Sequence, residues 1–311
     1  MSIQVYAPAS MGNVSVGFDL LGAALAPVDG SLLGDKVTIA KIETGVSLQV
    51  SGRWANKLPQ DEKLNIVYQC AEYFLNANPN ITKGAELHLE KNLPVGSGLG
   101  SSASSVVAAF YALNQCFEEP YSPQELLQLM GEFEGRISGS VHYDNVAPCY
   151  LGGMQLMLQL PNRICEPVPC FKNWYWVIAY SGVSLSTSDM RNLLPHQFDK
   201  QVCIDYGRHL SAFIHACYRD DANLALSVLQ DVLAEPYRRD AIPGFNGAKK
   251  ALNGMDMLAT GISGSGPTLF SISDDLETAQ KAASWLENNY LINSDGFVHV
   301  CQLDYQGTRR I

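Results

Sequence analysis

Pro94-Val95-Gly96-Ser97-Gly98-Leu99-Gly100-Ser101-Ser102-Ala103 is the stretch on which the reading of this chain turns. A phosphate needs several N–H groups converging at close range, which residues bearing a Cβ obstruct. Glycine removes the obstruction and permits positive φ, and a helix N-terminus adds a favourable partial charge. Both conditions are met here. Upstream, Ala85, Leu87 and Leu89 alternate with Glu86, His88 and Glu90, the period of a strand. Downstream, Ser102 to Phe117 is almost continuously small or apolar, which predicts a buried helix. The order is strand, glycine loop, helix start, with hydroxyls in the first turn that can ligate Mg²⁺. A Walker A loop fails because Ser101 stands where Lys is required. The dinucleotide fingerprint, counted from Gly96, needs Gly at the same position. The G-x-S-x-G elbow and the protein-kinase HRD and DFG elements are absent. A tight turn with no ligand is the competing reading of these residues.

The rest of the chain narrows the class. At about 100–200 residues per domain, 311 residues make two domains. With 47% hydrophobic and 17% charged residues, the chain is globular rather than disordered. A net charge of −10 argues against nucleic acid as a partner, although backbone amides and a divalent metal still allow a nucleotide. No run approaches the ~20 apolar residues of a membrane span, and MSIQVYAPAS lacks the features of a signal peptide. Eight cysteines without a CxxC pair point to buried thiols rather than a zinc site or disulfides. The expectation is a cytoplasmic enzyme with no membrane partner.

Ser122-Pro123-Gln124-Glu125 supplies an N-cap, an N1 proline and the Glu of a capping box. Leu126, Leu129, Met130 and Phe133 then form one helical stripe, with an end expected near Gly135. Gly152-Gly153 reads as a bend before a strand. Three prolines between Pro161 and Pro169 suggest a boundary, giving domains 1–165 and 166–311. The second half opens with the strand-like WYWVIAY and continues through helices near 188–194, 200–218 and 221–234. A second glycine loop spans Thr260 to Thr268, followed by a helix from Leu276 and a strand over Phe297 to Leu303. Mixed strands and helices make both domains α+β.

At this point a resemblance carries further. The segment Pro94 to Ala103 resembles the central phosphate-binding motif of the GHMP kinases. Ala7-Pro8-Ala9-Ser10-Met11-Gly12-Asn13-Val14-Ser15-Val16-Gly17-Phe18-Asp19 resembles their N-terminal motif, and Gly261-Ile262-Ser263-Gly264-Ser265-Gly266-Pro267-Thr268 their C-terminal one. Within the family the likeness is to the branch that phosphorylates homoserine. It is carried by Val16 to Asp19, by Gly135-Arg136-Ile137-Ser138-Gly139-Ser140-Val141-His142-Tyr143-Asp144-Asn145-Val146-Ala147-Pro148 and by Glu235-Pro236-Tyr237-Arg238. The resemblance implies the two-domain GHMP kinase fold, a ribosomal-protein-S5-like N-terminal domain and a ferredoxin-like C-terminal domain. It also implies ATP and Mg²⁺ as cofactors, L-homoserine as acceptor in threonine biosynthesis, and a homodimer. Met11-Gly12 departs from the small pair, such as Ser-Ala, that relatives often carry there.

The same resemblance distributes roles. Gly96, Ser97, Gly98 and Gly100 would cradle phosphates, with Pro94, Leu99, Ser101, Ser102 and Ala103 completing the loop. Asn65 of Asn65-Ile66-Val67-Tyr68 matches an adenine contact, and reads equally as a residue opening a helix. Glu134 matches the metal acid, with Ser101 or Ser102 as second contact and Ser101 assigned; Glu132 lies on another helical face. Arg191, just after Thr187, and Arg238 match positions that clamp the substrate carboxylate, a task suited to the guanidinium fork. Asp19, His142 and Asp144 are candidates for the ammonium, and Asn13 and Asn145 for orienting the hydroxyl. Asp19 reads equally as a helix cap and His142 as a core histidine. Either Asp19 or Asp144 is able to take the proton, and direct attack without a base is the alternative. The rivals are a kinase for a mevalonate-type or sugar alcohol, a non-catalytic nucleotide or amino-acid sensor and, more distantly, a phosphate-binding lyase.

Overall fold

The computed structural model describes residues 2–81, 83–160 and 162–311, so Pro161 of the expected boundary lies outside the described residues. From the N-terminus come β1 (Ser2–Pro8), β2 (Ser10–Gly12), β3 (Leu21–Pro27), β4 (Gly34–Lys41), β5 (Gly45–Ser51), α1 (Ile66–Ala77) and β6 (Gly84–Glu90). There follow α2 (Ser101–Cys116), α3 (Pro123–Ser138), α4 (Val146–Leu151), β7 (Met154–Leu160), β8 (Arg163–Val168) and β9 (Tyr175–Tyr180). The remainder comprises α5 (Thr187–Asn192), α6 (Lys200–Arg219), α7 (Ala222–Val228), α8 (Glu235–Arg238), α9 (Phe245–Asn253), β10 (Ala259–Ile262), β11 (Leu269–Ser273), α10 (Leu276–Asn289), β12 (Phe297–Leu303) and β13 (Arg309–Arg310). Among the described residues no helix is long and apolar enough to cross a membrane.

The α+β expectation holds. One sheet has five strands in the order β13-β1-β4-β6-β5, antiparallel except for the parallel β5–β6 pair. Leu87 and Leu89 of β6 face a core where Val106, Phe110 and Leu113 of α2 meet Phe74 of α1 and Met130 and Phe133 of α3. The second sheet runs β10-β11-β9-β12-β3-β7-β8, with β2 paired to β3. β9 explains the unbroken apolar run at WYWVIAY: a strand covered on both faces has no polar side to alternate with. Trp176 and Ile178 pack with Phe213 and Phe270, while Val177 and Ala179 pack with Ala279 and Leu286. The division at 165/166 falls within β8, the second strand of a hairpin with β7.

Two helix ends differ from expectation. The capping box at Ser122 and Glu125 forms, but α3 runs a turn past Gly135 and ends at Gly139, whose φ of 87° supplies the left-handed terminator. Gly135 serves packing instead, because a Cβ there would press on Val141 at 3.0 Å. The helix expected over 221–234 stops at Val228. Beyond it the Asp231 side chain accepts from the N–H groups of Leu233, Ala234 and Glu235 and starts a separate turn, α8.

The passage of the chain from β1 in the first sheet, through β2, to β3 in the second positions the site. Leu25 and Pro27 pair with Leu303 and Cys301 of β12, so the 13–20 loop lies where the two halves of the chain meet. β3 also presses on the turn at Asp144: a Cβ on Gly22 would drive into the Asp144 carbonyl oxygen. Gly22→Ala is therefore expected to destabilise the fold by about 2–3 kcal/mol. Gly207→Ala, on α6 with nothing within 4 Å of the added carbon, is expected to stabilise it by about 0.5–1 kcal/mol. Denaturant unfolding of both variants checks this; equal midpoints would contradict the close approach of β3.

Candidate active site

A cleft of about 500 Å³ lies between the two halves of the chain. The three glycine-rich segments meet at its floor. Gly96, Gly98 and Gly100 have φ of 69°, 78° and 63°. A Cβ on Gly98 would collide with the Ser263 carbonyl oxygen, while the Ser263 hydroxyl donates to the Gly98 carbonyl at 2.6 Å. The Thr268 amide donates to Ser97 O at 3.2 Å, the Gly264 amide to Gly12 O at 3.1 Å, and the Ser10 amide to Leu99 O at 3.2 Å. The Asn13 amide group donates to Gly264 O at 2.9 Å across 251 positions of sequence. Gly100 caps α2 without any side chain, which leaves the first-turn amides open to an anion. Pro94, Leu99 and Ala103 belong to the loop but are buried and do not line the cleft.

At the start of α2, the Ser102 hydroxyl donates to Glu134 Oε1 at 3.0 Å. The Ser101 hydroxyl points the other way, to Leu93 O at 3.1 Å. Glu132 accepts from Gln128 at 3.0 Å on the exposed side of α3. A carboxylate beside a hydroxyl is an all-oxygen pair, which suits a hard cation whose remaining ligands are phosphates and water. Among the described residues no group of three or more His, Cys, Asp or Glu is placed to hold a metal by itself.

Below the loop lies a buried strut that sequence reading missed. Lys91, 1% exposed, bonds the Asp35 carboxylate, Ser101 O at 2.7 Å and Ser105 Oγ at 2.9 Å. Asp35 also accepts from the Asn92 and Leu93 amides. The pair thus ties the strand before the loop to the helix after it. The one signal was a lysine directly ahead of an apolar loop.

The far end of the cleft is built on charge. Arg191 places its fork on Asp19, Nη1 to Oδ2 at 3.1 Å and Nη2 to Oδ1 at 2.9 Å. Burial works against the Arg191 charge, and the hydrogen bonds and charge of Asp19 outweigh it, holding the proton more firmly than usual. Arg238, 3% exposed, donates to Met190 O at 3.1 Å and Gly264 O at 3.2 Å, and burial lowers its pKa. Phe18 lies beneath both guanidiniums, its ring centroid 5.7 Å from Arg191 and 5.4 Å from Arg238. Tyr206 donates to the Phe18 carbonyl at 2.8 Å. Nothing local in the sequence marked Phe18 or Tyr206 for this role.

The remaining predicted residues gather here. Asn13 Oδ1 accepts from the Asp19 amide at 2.9 Å, so Asp19 is an ion-pair member rather than a helix cap. His142 Nδ1 stands 3.9 Å from Asp19 Oδ1, and burial lowers its pKa against the pull of Asp19. Thr187 faces Ser265 at 3.4 Å, and Asn145 lies 3.4 Å from Asp144 Oδ2. Asn13, Val14, Ser15 and Asp19 all have positive φ. For a β-branched residue such as Val14 that is a strained conformation, held only where the surroundings over-determine it. Burial, then the charges of Asp19 and Glu134, push the Asp144 carboxyl up to about 7.

Asn65 satisfies both of its readings. Its Oδ1 caps α1 by accepting from the Val67 amide at 2.9 Å. Its Nδ2 has no hydrogen-bond partner among the described residues, although the residue is only 2% exposed. It lines the cleft beside Leu64 and Ile66.

Residues 65–153 match the family model described as GHMP kinases N terminal domain, and residues 213–292 the model described as GHMP kinases C terminal. The crystal structure of a homoserine kinase from Cytophaga hutchinsonii is 34% identical, with a TM-score of 0.91 over 100% of this chain and 97% of that one. L. major mevalonate kinase in complex with R-mevalonate is 15% identical, with a TM-score of 0.68 over 95% of this chain and 94% of that one. Methanococcus jannaschii mevalonate kinase is also 15% identical, at 0.69 over 97% and 98%. The latter two likenesses concern the fold.

The raised pKa of Asp144 has a sign. An aspartate ordinarily titrates near 3.8, so between that value and about 7 the folded protein holds a proton that the unfolded chain has lost. Stability therefore falls as pH rises through this window. From pH 5 to pH 8 the ligand-free protein is expected to lose about 2–3 kcal/mol relative to Asp144→Asn. Chemical denaturation of both proteins at the two pH values measures it. Parallel pH dependences would contradict a protonated Asp144.

Proposed function

The chain belongs to the GHMP kinase family, and on that premise we propose that it transfers the γ-phosphoryl group of ATP to the side-chain hydroxyl of L-homoserine, giving O-phospho-L-homoserine and ADP. The observation that carries this reading is the Asp19–Arg191 pair beside the buried Arg238. Homoserine is a zwitterion. Its carboxylate binds Arg191 and Arg238, and its ammonium replaces the guanidinium on Asp19, so each end of the zwitterion meets an opposite charge. Mevalonate carries the carboxylate alone: in the same pose, with Arg191 turned to that carboxylate, Asp19 would face no ammonium, at several kcal/mol in a dry site. Sugar alcohols would leave Arg238 without a carboxylate to bind.

At the donor end, the adenine ring lies against Leu64 and Ile66 and takes the free Asn65 donor. The first-turn amides of α2 and the loop between Gly96 and Gly100 hold the phosphates. Glu134 and Ser102, rather than the Ser101 of the sequence assignment, would hold Mg²⁺, which would neutralise phosphate charge. Asn13 and Asn145 orient the acceptor hydroxyl toward the γ-phosphorus. As the oxygen–phosphorus bond forms and the bond to the β-phosphate oxygen breaks, Asp144 accepts the hydroxyl proton. A carboxylate titrating near neutrality suits that task. Phosphoryl transfer asks for little else beyond positioning and charge stabilisation. Following the resemblance, the proposal includes a cytoplasmic homodimer serving threonine biosynthesis. It also keeps the division into 1–165 and 166–311, which the two family models flank.

The test is a coupled ADP-release assay with Mg·ATP and L-homoserine, mevalonate, galactose or no acceptor. Turnover is expected with homoserine alone. Glu134→Ala is expected to lower kcat about 100-fold or more, and Glu132→Ala to stay within about twofold of wild type. ATP binding without turnover on any acceptor would favour a sensor, and a preference for mevalonate or galactose would overturn the account of the two arginines.

A further inference from the structure

Arg238 sits on a very short element. α8 has four residues, Glu235–Arg238, and its N-cap, Ala234, offers no side-chain cap. Such a turn has little intrinsic stability, because nucleation fixes several residues for few hydrogen bonds. It is held instead by Asp231. Oδ1 accepts from the Leu233 amide at 2.8 Å and the Ala234 amide at 2.7 Å, and Oδ2 from the Glu235 amide at 3.0 Å. The Ala234 peptide fixed in this way then accepts the backbone N–H of Arg238 through its own carbonyl, at 3.0 Å. On the other flank, Glu235 bonds Lys249 of α9. Asp231 does not line the cleft.

We infer that Asp231 is a positioning residue for the acceptor site: by capping the turn that carries Arg238, it fixes where that guanidinium meets the substrate carboxylate. The charge arrangement agrees. Burial raises the Asp231 pKa, while its three amide bonds and then Arg238 oppose the rise. After burial itself, Asp231 is the strongest electrostatic influence on Arg238. The guanidinium has one job on the protein side, donating to the Met190 carbonyl of α5 and to the Gly264 carbonyl of the second glycine loop, and a loose turn would release both. The effect belongs to one substrate only, since the nucleotide elements around Asn65 and Gly96 to Ser102 make no use of Asp231.

This inference rests on the homoserine reading, and the experiment separates the two. KM for homoserine, KM for ATP and kcat are measured for wild type, Asp231→Ala, Asp231→Asn, Arg238→Ala and the double variant Asp231→Ala/Arg238→Ala. If wild type fails to turn over homoserine, the functional reading falls. If wild type is active, Asp231→Ala is expected to raise KM for homoserine about tenfold, with KM for ATP within about twofold. Asp231→Asn, which keeps the acceptor that serves Leu233 and Ala234, is expected to recover most of that loss. In the Arg238→Ala background the Asp231 substitution is expected to add almost nothing. A purely structural loss would lower the active fraction, and so kcat, while sparing both KM values. Equal effects on the two substrates, additivity with Arg238→Ala, or an Asn variant as impaired as Ala would each overturn the inference. Should Asp231→Ala not fold, Asp231→Ser, with one acceptor, is read by the same criteria.

Discussion

The structure depends on one junction, where the Ser263 hydroxyl donates to the Gly98 carbonyl and the Gly264 amide to the Gly12 carbonyl. Three chain segments approach there at backbone distance. A Cβ on Gly98 would meet the Ser263 and Gly266 carbonyls and one on Gly264 the Gly98 carbonyl, which is the physical reason for glycine at these two positions. The junction does more than close the fold. The loops at 96–100 and 263–266 share it, so in the proposed reaction the two substrates would be registered against each other by peptide groups. Peptide groups have fewer soft degrees of freedom than side chains. The left-handed backbone at Asn13, Val14 and Ser15 is the strain that this register requires. It is held by Asn13, whose amide spans the Gly264 carbonyl and the Asp19 N–H.

Around the junction, charge is arranged in opposed pairs. The chain has only 21 Lys and Arg against 31 Asp and Glu, yet it commits Arg191 and Arg238 to one cleft and Lys91 to the floor beneath it. Asp35 matches Lys91, Asp19 matches Arg191, and Asp231 balances Arg238 from behind. Asp144 is buried, with the charges of Asp19 and Glu134 near it outweighing that of Arg191, and its carboxyl is pushed up to about 7. A buried charge without such compensation would be several times more costly than a surface pair is worth. The arrangement therefore holds the loops around the cleft.

Much of this was legible in the sequence, and the remainder was hidden for identifiable reasons. The β6–loop–α2 unit was readable because its alternation, its glycines and its buried helix are contiguous. The capping box of α3 was readable too, but the helix end was not. Gly135 and Gly139 look alike in sequence, and only the left-handed backbone at Gly139 separates them. The break after Val228 was missed because Asp-Val-Leu-Ala-Glu resembles a continuing helix until the Asp231 carboxylate is seen to cap it. Among site residues, motif matching reached most of the cleft, including Asp19, Glu134, Asp144 and both arginines. Phe18 lay inside the matched N-terminal motif but was given no role, and Asp35 and Tyr206 escaped because their partners lie far away in sequence: Tyr206 is 188 positions from Phe18, and Asp35 is 56 from Lys91. Ser101 and Ser102 were interchangeable in sequence, since only the helix phase decides which hydroxyl faces Glu134.

The claim that one backbone junction builds both halves of the site is tested most directly at Gly98. Isothermal titration of Gly98→Ala with Mg·ATP and, separately, with homoserine compares the two affinities with wild type. A Cβ at that position pushes the 263–266 loop away from the phosphate loop, and Gly264 O is a contact of both Arg238 and Asn13. Both affinities are expected to fall about tenfold or more. Loss of nucleotide binding with homoserine affinity intact would contradict the account.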